Sequence, residues 1–102
     1  MTETAETPDI RMRRLKLRSW RRGMKEMDLI LGHFADGPMA GLSPEELDLY
    51  EAVLVENDQD LYLWLTARIN GSTHGAGTGP AALSAMLDRI ADHAQTRLRP
   101  AG

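Results

Sequence analysis

The spacing of apolar residues constrains the fold of this chain most strongly. In several segments apolar side chains recur every three or four residues, which is the period of an α-helix that buries one face. The alternation of apolar and polar residues that would indicate a strand persists nowhere in the 102 residues. The sequence therefore predicts an all-α fold, a small bundle of about five short helices with short connections.

Capping and breaking signals place the ends of these helices. Ser43 is a suitable N-cap, Pro44 suits the first helical position, and Glu46 completes a capping box. Asn57 and Asp58 end that helix and offer an N-cap for the next one. The predicted helices cover residues 9–20, 22–34, 44–56, 59–69 and 81–98.

A chain of this length forms one domain. We predict a helical-bundle domain over residues 9–98, with Asp9 as the N-cap of its first helix. Residues 1–8 are polar and are predicted to be a disordered tail. Residues 70–80 are predicted to form a flexible glycine-rich linker before the last helix, and residues 99–102 a C-terminal tail.

The composition argues against several kinds of chemistry. Cysteine is absent, which excludes disulfides, thiolate metal sites and cysteine nucleophiles. His33, His74 and His93 lack the spacing of a metal-ligand set, and Asp58 and Asp60 suit a helix N-terminus better than a metal. No apolar run is long enough to span a bilayer, and the acidic N-terminus resembles neither a secretory signal nor an import peptide. We therefore predict a cytoplasmic protein that binds no metal or membrane and is not an enzyme.

Charge is segregated along the chain, although the net charge is only −3. Eight of the twelve basic residues lie within residues 11–25, and residues 26–60 hold ten acidic residues and no lysine or arginine. One interpretation is that Arg13, Arg14 and Arg18 contact the acidic third helix. Another is a nucleic-acid-associated regulator that uses the basic helix 11–25 to neutralise phosphates. The acidic chain and the single aromatic residue of this run, Trp20, argue against nucleic acid.

The motif Arg22-Gly23-Met24-Lys25-Glu26 lies where two predicted helices meet. Residues four apart in a helix share one face, so Arg22 would place a guanidinium beside the carboxylate of Glu26. Gly23 would let another backbone approach closely, because it has no Cβ. The motif predicts a recognition surface, since nothing in it could catalyse a reaction alone.

This motif, followed by Asp58-x-Asp60-Leu61-Tyr62-x-Trp64-Leu65, resembles the succinate dehydrogenase flavinylation (assembly) factors over roughly residues 15–69. The resemblance implies a small bundle protein that helps to attach FAD covalently to the flavoprotein subunit of succinate dehydrogenase, and in bacteria also to fumarate reductase. The FAD would belong to the partner, and this chain would hold no cofactor stably. We expect the free chain to be a monomer.

The resemblance also implies which residues touch the partner. The signature arginine, glycine and glutamate of the family correspond to Arg22, Gly23 and Glu26. We extend the predicted partner-binding surface to the residues beside them. These are Arg18, Trp20, Arg21, Met24, Lys25 and Asp28. Trp64 lies on a clean apolar stripe and is predicted to pack in the core.

Overall fold

The protein is described by a computed structural model that covers residues 7–69 and 79–98. Its two 3-10 segments, Pro38–Gly41 and Ala81–Leu83, precede the third and the fifth α-helix. The described residues contain no strand, which confirms the predicted all-α fold. The five α-helices are α1 (Pro8–Trp20), α2 (Lys25–Asp36), α3 (Pro44–Val55), α4 (Asp58–Ile69) and α5 (Ser84–Leu98).

Some predictions fall on residues that the structure does not describe. They concern the tail over residues 1–6, most of the glycine-rich linker (residues 70–78) with His74, and the C-terminal tail over residues 99–102. Within the described part of the chain, no helix is both long and apolar enough to cross a membrane.

The local capping signals form as predicted. The side chain of Ser43 accepts a hydrogen bond from the backbone of Glu46 at 3.1 Å, and the Glu46 carboxylate accepts one from the backbone of Ser43 at 2.8 Å. This second bond stabilises the charged form and lowers the pKa of Glu46. The side-chain oxygen of Asn57 accepts from the backbone N–H of Gln59 at 2.8 Å, so Asn57 caps α4.

Two predicted helix starts are wrong. Helix α1 begins at Pro8, and Thr7 rather than Asp9 is its N-cap, since the Thr7 hydroxyl accepts from the backbone of Ile10 at 3.1 Å. Helix α2 begins at Lys25 rather than at residue 22. The reason is Gly23, whose φ of +89° interrupts the right-handed helical backbone.

The ends of two other elements also differ from the prediction. Helix α2 continues past Phe34 to Asp36 before Pro38 begins a 3-10 turn. The last predicted helix starts as the 3-10 segment Ala81–Leu83 and becomes α-helical only at Ser84. Differences of this size arise because helix termini commonly tighten into 3-10 turns.

Helix α2 lies at the centre of the bundle and packs against α1 and α5, while α4 packs along α5. Trp64 is half-buried and packs against this core, which agrees with the predicted packing role. The core is formed by Leu15, Met27, Ile30, Leu31, Phe34, Ala35, Met39, Leu42, Tyr50, Val53, Leu54, Leu61, Leu65, Leu83, Met86, Leu87, Ile90, Ala91 and Ala94.

Two buried polar side chains, Tyr50 and Arg68, make hydrogen bonds that connect one helix to another. The Tyr50 hydroxyl of α3 lies 2.6 Å from the hydroxyl of Ser19 in α1 and donates to the carbonyl of Leu31 in α2 at 3.3 Å. Burial raises the pKa of Tyr50 to about 12. The fully buried Arg68 of α4 donates to Asp88 of α5 at 2.7 Å.

Candidate partner-binding surface

Residues 21–24, which we call the motif loop, connect α1 to α2. Gly23 is exposed at this loop, and its φ of +89° lies in the region that favours glycine. An ideal Cβ built on Gly23 would meet no atom of residues 7–69 and 79–98 within 4 Å. The glycine is therefore needed within the chain for its backbone conformation and not for internal packing.

Arg22 holds the motif loop against the rest of the bundle. Its backbone N–H donates to the carboxylate of Asp28 in α2 at 2.6 Å. Its guanidinium donates from Nε to Asp58 of α4 at 2.8 Å, from Nη1 to the carbonyl of Leu54 at 2.6 Å, and from Nη2 to the carbonyl of Glu56 at 3.0 Å. The two carbonyls belong to the C-terminal end of α3, where a positive charge is favoured by the helix dipole.

The expected pairing of Arg22 with Glu26 on one helical face is wrong. Arg22 precedes α2, so the two residues do not share a helix. The Arg22 side chain is only 10% exposed, and its guanidinium donors are directed to α3 and α4. Arg22 consequently positions the loop and does not present a guanidinium fork to a partner.

The exposed residues of the motif are its glycine, its glutamate and the flanking cations. Glu26 lies in the first turn of α2, and its carboxylate makes no hydrogen bond or ion pair with any of the described residues. Arg21 and Lys25 are also exposed. We call Arg21, Gly23, Lys25 and Glu26 the motif tip.

The other predicted contact residues divide into two groups. Trp20 is half-buried, with its indole against Gly32 of α2 and its Nε1 donating to Asp36 at 3.2 Å. Met24 is half-buried against the core, and Asp28 is occupied by the Arg22 backbone. Only Arg18 joins the motif tip as an exposed residue. The structure therefore brings the predicted residues together but turns several of them inward.

Part of the basic run contacts the acidic third helix. Arg14 donates to Glu51 at 2.8 Å, while Arg11 donates to Asp48 at 2.7 Å and to Glu51 at 3.2 Å. These bonds raise the pKa of Arg11, chiefly through Asp48, and lower the pKa of Glu51, chiefly through Arg14. The predicted contact is thus confirmed for Arg14. Arg13 and Arg18 are exposed on α1, and neither makes a hydrogen bond or ion pair with α3 among the described residues.

This internal pairing argues against the nucleic-acid interpretation. Four of the eight basic residues in residues 11–25 lie within 4.0 Å of a carboxylate of this chain. They are Arg11, Arg14, Lys16 and Arg22. Each internal pair removes a charge that phosphate binding would require.

Beside the motif tip lies a groove that the sequence did not reveal. Its cavity volume is about 420 Å³, and it runs between the C-terminal ends of α1 and α3. The sequence gives only a weak signal for this groove, because Leu17 and Val55 cannot be distinguished in sequence from other apolar residues of a helix. The residues that line it include Leu17, Arg18, Arg21, Leu54, Val55 and Glu56.

No metal centre is suggested by the geometry of the described part of the chain. Residues 7–69 and 79–98 contain no group of three or more histidine, cysteine or acidic side chains placed to hold a metal ion. The site offers hydrogen-bonding groups, charges and apolar surface, which are the means of binding another molecule.

A family model described as "flavinator of succinate dehydrogenase" (Sdh5) matches residues 13–94. The chain belongs to this family. The membership confirms the resemblance drawn from Arg22-Gly23-x-x-Glu26 and the later Asp58-x-Asp60-Leu61-Tyr62-x-Trp64-Leu65 segment, and it extends the match into α5.

Several similar proteins are named "succinate dehydrogenase assembly factor 2, mitochondrial". The protein from Debaryomyces hansenii is 44% identical over 63 residues, which are 62% of this chain and 44% of the relative. The proteins from Lodderomyces elongisporus and Meyerozyma guilliermondii are 43% and 41% identical over 63 residues each, again 62% of this chain. These matches span 38% and 47% of the two relatives, so the chain matches less than half the length of each of the three proteins.

Two predictions are decided by these names. The relatives are named assembly factors and the family is described as a flavinator, which confirms that this member is not an enzyme. The same relatives are named mitochondrial proteins, so the predicted cytoplasmic location is wrong.

Proposed function

We propose that this chain binds the flavoprotein subunit of succinate dehydrogenase and promotes the covalent attachment of FAD to that subunit. Membership of the flavinator family supports the role in flavinylation, and the names of the relatives support succinate dehydrogenase as the client. The flavoprotein subunit is the part of the client that carries the flavin. We propose that FAD stays with this partner and is not held stably by the chain.

The observation that carries this proposal is the anchoring of Arg22. One backbone and three side-chain hydrogen bonds hold this residue to α2, α3 and α4, and they tie the backbone of the motif loop to the bundle. A surface that is already ordered loses little conformational entropy when it binds. The exposed carboxylate of Glu26 is then left for the partner.

Each residue of the motif tip has a different role in this proposal. Glu26 accepts hydrogen bonds from arginine, lysine or backbone N–H groups of the flavoprotein. Gly23 lets the flavoprotein backbone approach, because this residue has no Cβ. Arg21 and Lys25 flank these two residues and contribute electrostatic attraction at the rim of the contact. Arg22 acts as a positioning residue behind them.

The mechanism proposed is a shift of population in the partner. The bond to FAD is formed by groups of the flavoprotein itself, and the chain binds the conformation in which those groups and the flavin are aligned. A ligand shifts an equilibrium by its difference in affinity for the two states. A preference of about 2.7 kcal/mol would change their ratio roughly a hundredfold.

A matched pair of glutamate variants tests the proposal. Glu26 and Glu45 are both exposed, and both occupy the second position of a helix, α2 and α3 respectively. Replacing either one by alanine therefore has the same effect on the helix dipole. The assay incubates purified apo-flavoprotein with FAD and the chain, and measures covalent flavin by fluorescence of the denatured subunit on a gel.

We expect Glu26→Ala to lower covalent flavin at least several-fold while Glu45→Ala leaves it unchanged. Both variants should unfold at the same temperature. Equal flavinylation with the two variants would remove Glu26 from the contact. Equal flavinylation with and without the wild-type chain would overturn the proposed function itself.

A further inference from the structure

We propose that the groove between the ends of α1 and α3 binds an acidic segment of the flavoprotein that inserts a large apolar side chain. This inference rests on the proposed function, because it names a second part of the contact made by the same partner. It adds residues that the motif does not include, chiefly Leu17 and Val55. The groove adjoins the motif tip through Arg21, which belongs to both.

The apolar part of the groove is accessible to solvent. Leu17 of α1 is 51% exposed and Val55 of α3 is 71% exposed, and both line the groove. When a complementary apolar group binds between two exposed apolar side chains, it removes both from water, and this burial favours binding. The cavity volume of about 420 Å³ is sufficient for a large side chain and its neighbours.

The charges of the groove select an acidic partner. Arg18 and Arg21 are exposed and make no hydrogen bond or ion pair with the residues in 7–69 and 79–98. Arg22 and Asp58, which also line the groove, satisfy each other at 2.8 Å. The remaining carboxylate is that of Glu56, so two available cations face one anion.

The arrangement of these charges also gives the bound segment an orientation. Both available arginines belong to the end of α1 and the residue after it, whereas Glu56 follows α3. Carboxylates of the bound segment would therefore lie along the α1 side, with the apolar side chain between Leu17 and Val55. A phosphate polymer fits less well, because it would leave both apolar residues in water and would face Glu56.

Photo-crosslinking tests this proposal directly. The chain contains no cysteine, so a single introduced cysteine can be labelled uniquely with a benzophenone maleimide. The test position is Val55→Cys in the groove, the reference is Lys25→Cys at the motif tip, and the control is Ala85→Cys, which is exposed on α5 and does not line the groove. Each labelled full chain is irradiated with the purified flavoprotein subunit, and the attached peptides are identified by mass spectrometry.

We expect labels at positions 55 and 25 to attach to the flavoprotein, and the label at position 85 to attach weakly or not at all. The peptide attached to position 55 should contain at least one carboxylate and a large apolar residue. If position 25 attaches and position 55 does not, or if position 55 attaches to a basic peptide, the groove proposal is overturned and the proposed function stands. If neither position attaches, both proposals fail.

A pair of charge reversals provides a test without a bulky label. Arg18 and Arg13 are both exposed on α1, but only Arg18 lines this groove. Arg18→Glu should raise the Kd for the flavoprotein up to about tenfold at low salt, because an attraction is replaced by a repulsion. The effect should shrink at high salt as charges become screened.

Arg13→Glu changes the net charge by the same amount and should alter the Kd much less. Equal losses of affinity in the two variants would show that only the overall charge of α1 matters, and this result would overturn the groove proposal. Circular dichroism confirms that both variants keep the same helical content.

Discussion

The guanidinium of Arg22 and the carboxylate of Asp58 lie 2.8 Å apart, although 36 residues separate them along the chain. The same guanidinium donates to the carbonyls of Leu54 and Glu56, so one side chain joins the motif loop to the end of α3 and the start of α4. The arginine of the motif is thereby a structural residue. In the proposed function, recognition of the partner falls to its neighbours Gly23 and Glu26.

Arg22→Lys should destabilise the protein. A lysine ammonium lacks the planar fork that reaches three acceptors, so Asp58 and the two α3 carbonyls lose their partner. We expect a loss of about 2–3 kcal/mol, because Asp58 keeps some contact with solvent. For a domain of this size that loss corresponds to a fall in Tm of about 10–20 °C.

Thermal unfolding followed by circular dichroism measures this effect, with Arg13→Lys on the exposed side of α1 as the control. The control should unfold at the wild-type temperature. If Arg22→Lys left the Tm unchanged but abolished flavinylation, Arg22 would contact the partner directly, and this result would contradict its structural role.

Substitutions of Gly23 should separate backbone strain from contact with the partner. Alanine at a φ of +89° is strained by about 1–2 kcal/mol, whereas asparagine tolerates left-handed backbone better. An added Cβ meets no atom of the described residues within 4 Å, so backbone strain is the main cost in stability. Gly23→Asn should therefore stay closer to wild-type stability than Gly23→Ala.

Both Gly23 variants should nevertheless lower covalent flavin on the partner if the proposed contact forms, because each adds a side chain where that contact brings the flavoprotein backbone close. The comparison uses denaturant unfolding for stability and gel fluorescence for flavinylation. Full flavinylation with Gly23→Asn would mean that the glycine serves only the conformation of the loop.

Gly32→Ala should destabilise the contact between α1 and α2. Gly32 is buried in α2, and an ideal Cβ there would lie 2.3 Å from Cδ2 of Trp20. The indole would have to move and lose its hydrogen bond to Asp36. The helix propensity of alanine offsets only about 1 kcal/mol, so we expect a net loss of about 1–2 kcal/mol.

Gly41→Ala is the matched control for Gly32→Ala, since a Cβ at Gly41 meets no atom of the part of the chain that the structure describes within 4 Å, and the φ of Gly41 is not positive. Reduced entropy of the unfolded chain should make that variant neutral or more stable by up to about 1 kcal/mol. Urea unfolding measures both. Equal stability of the two variants would contradict the close approach of Trp20 to Gly32.

Tyr50 should make the protein lose stability at alkaline pH. Burial raises its pKa from 10.0 to about 12, so between these values the unfolded chain releases the phenolic proton while the folded chain retains it. The contribution of Tyr50 to the free energy of unfolding is fully present below pH 10 and is lost as the pH rises through the folded pKa. Between pH 10 and pH 12 the free energy of unfolding should fall by about 1.4 kcal/mol per pH unit.

Urea unfolding at a series of pH values checks this prediction. Tyr50→Phe should be less stable near neutral pH, because its link to Ser19 is lost, but it should lack this alkaline slope. Tyr62→Phe on α4 should keep the slope of the wild-type protein. An unchanged slope in Tyr50→Phe would assign the alkaline loss to another group.

The sequence by itself determined the helices, because the signals that begin and end a helix lie within a few residues of one another. The capping box of Ser43 and Glu46 and the cap supplied by Asn57 both form as predicted. Trp64, which lies on an apolar stripe, likewise packs against the core as predicted. The start of α2 was missed, because a glycine that merely weakens a helix and one that adopts a positive φ look the same in sequence.

Only the tertiary structure decided which residues of the motif face outward. The partners of Arg22 lie on α3 and α4, and no pattern within one helix length specifies a hydrogen bond across 36 residues. The close contact of Trp20 with Gly32 and the joining of Leu17 to Val55 in one groove depend in the same way on how helices pack. Such pairings follow from the geometry of the whole bundle, because packing brings together side chains that the chain order keeps apart.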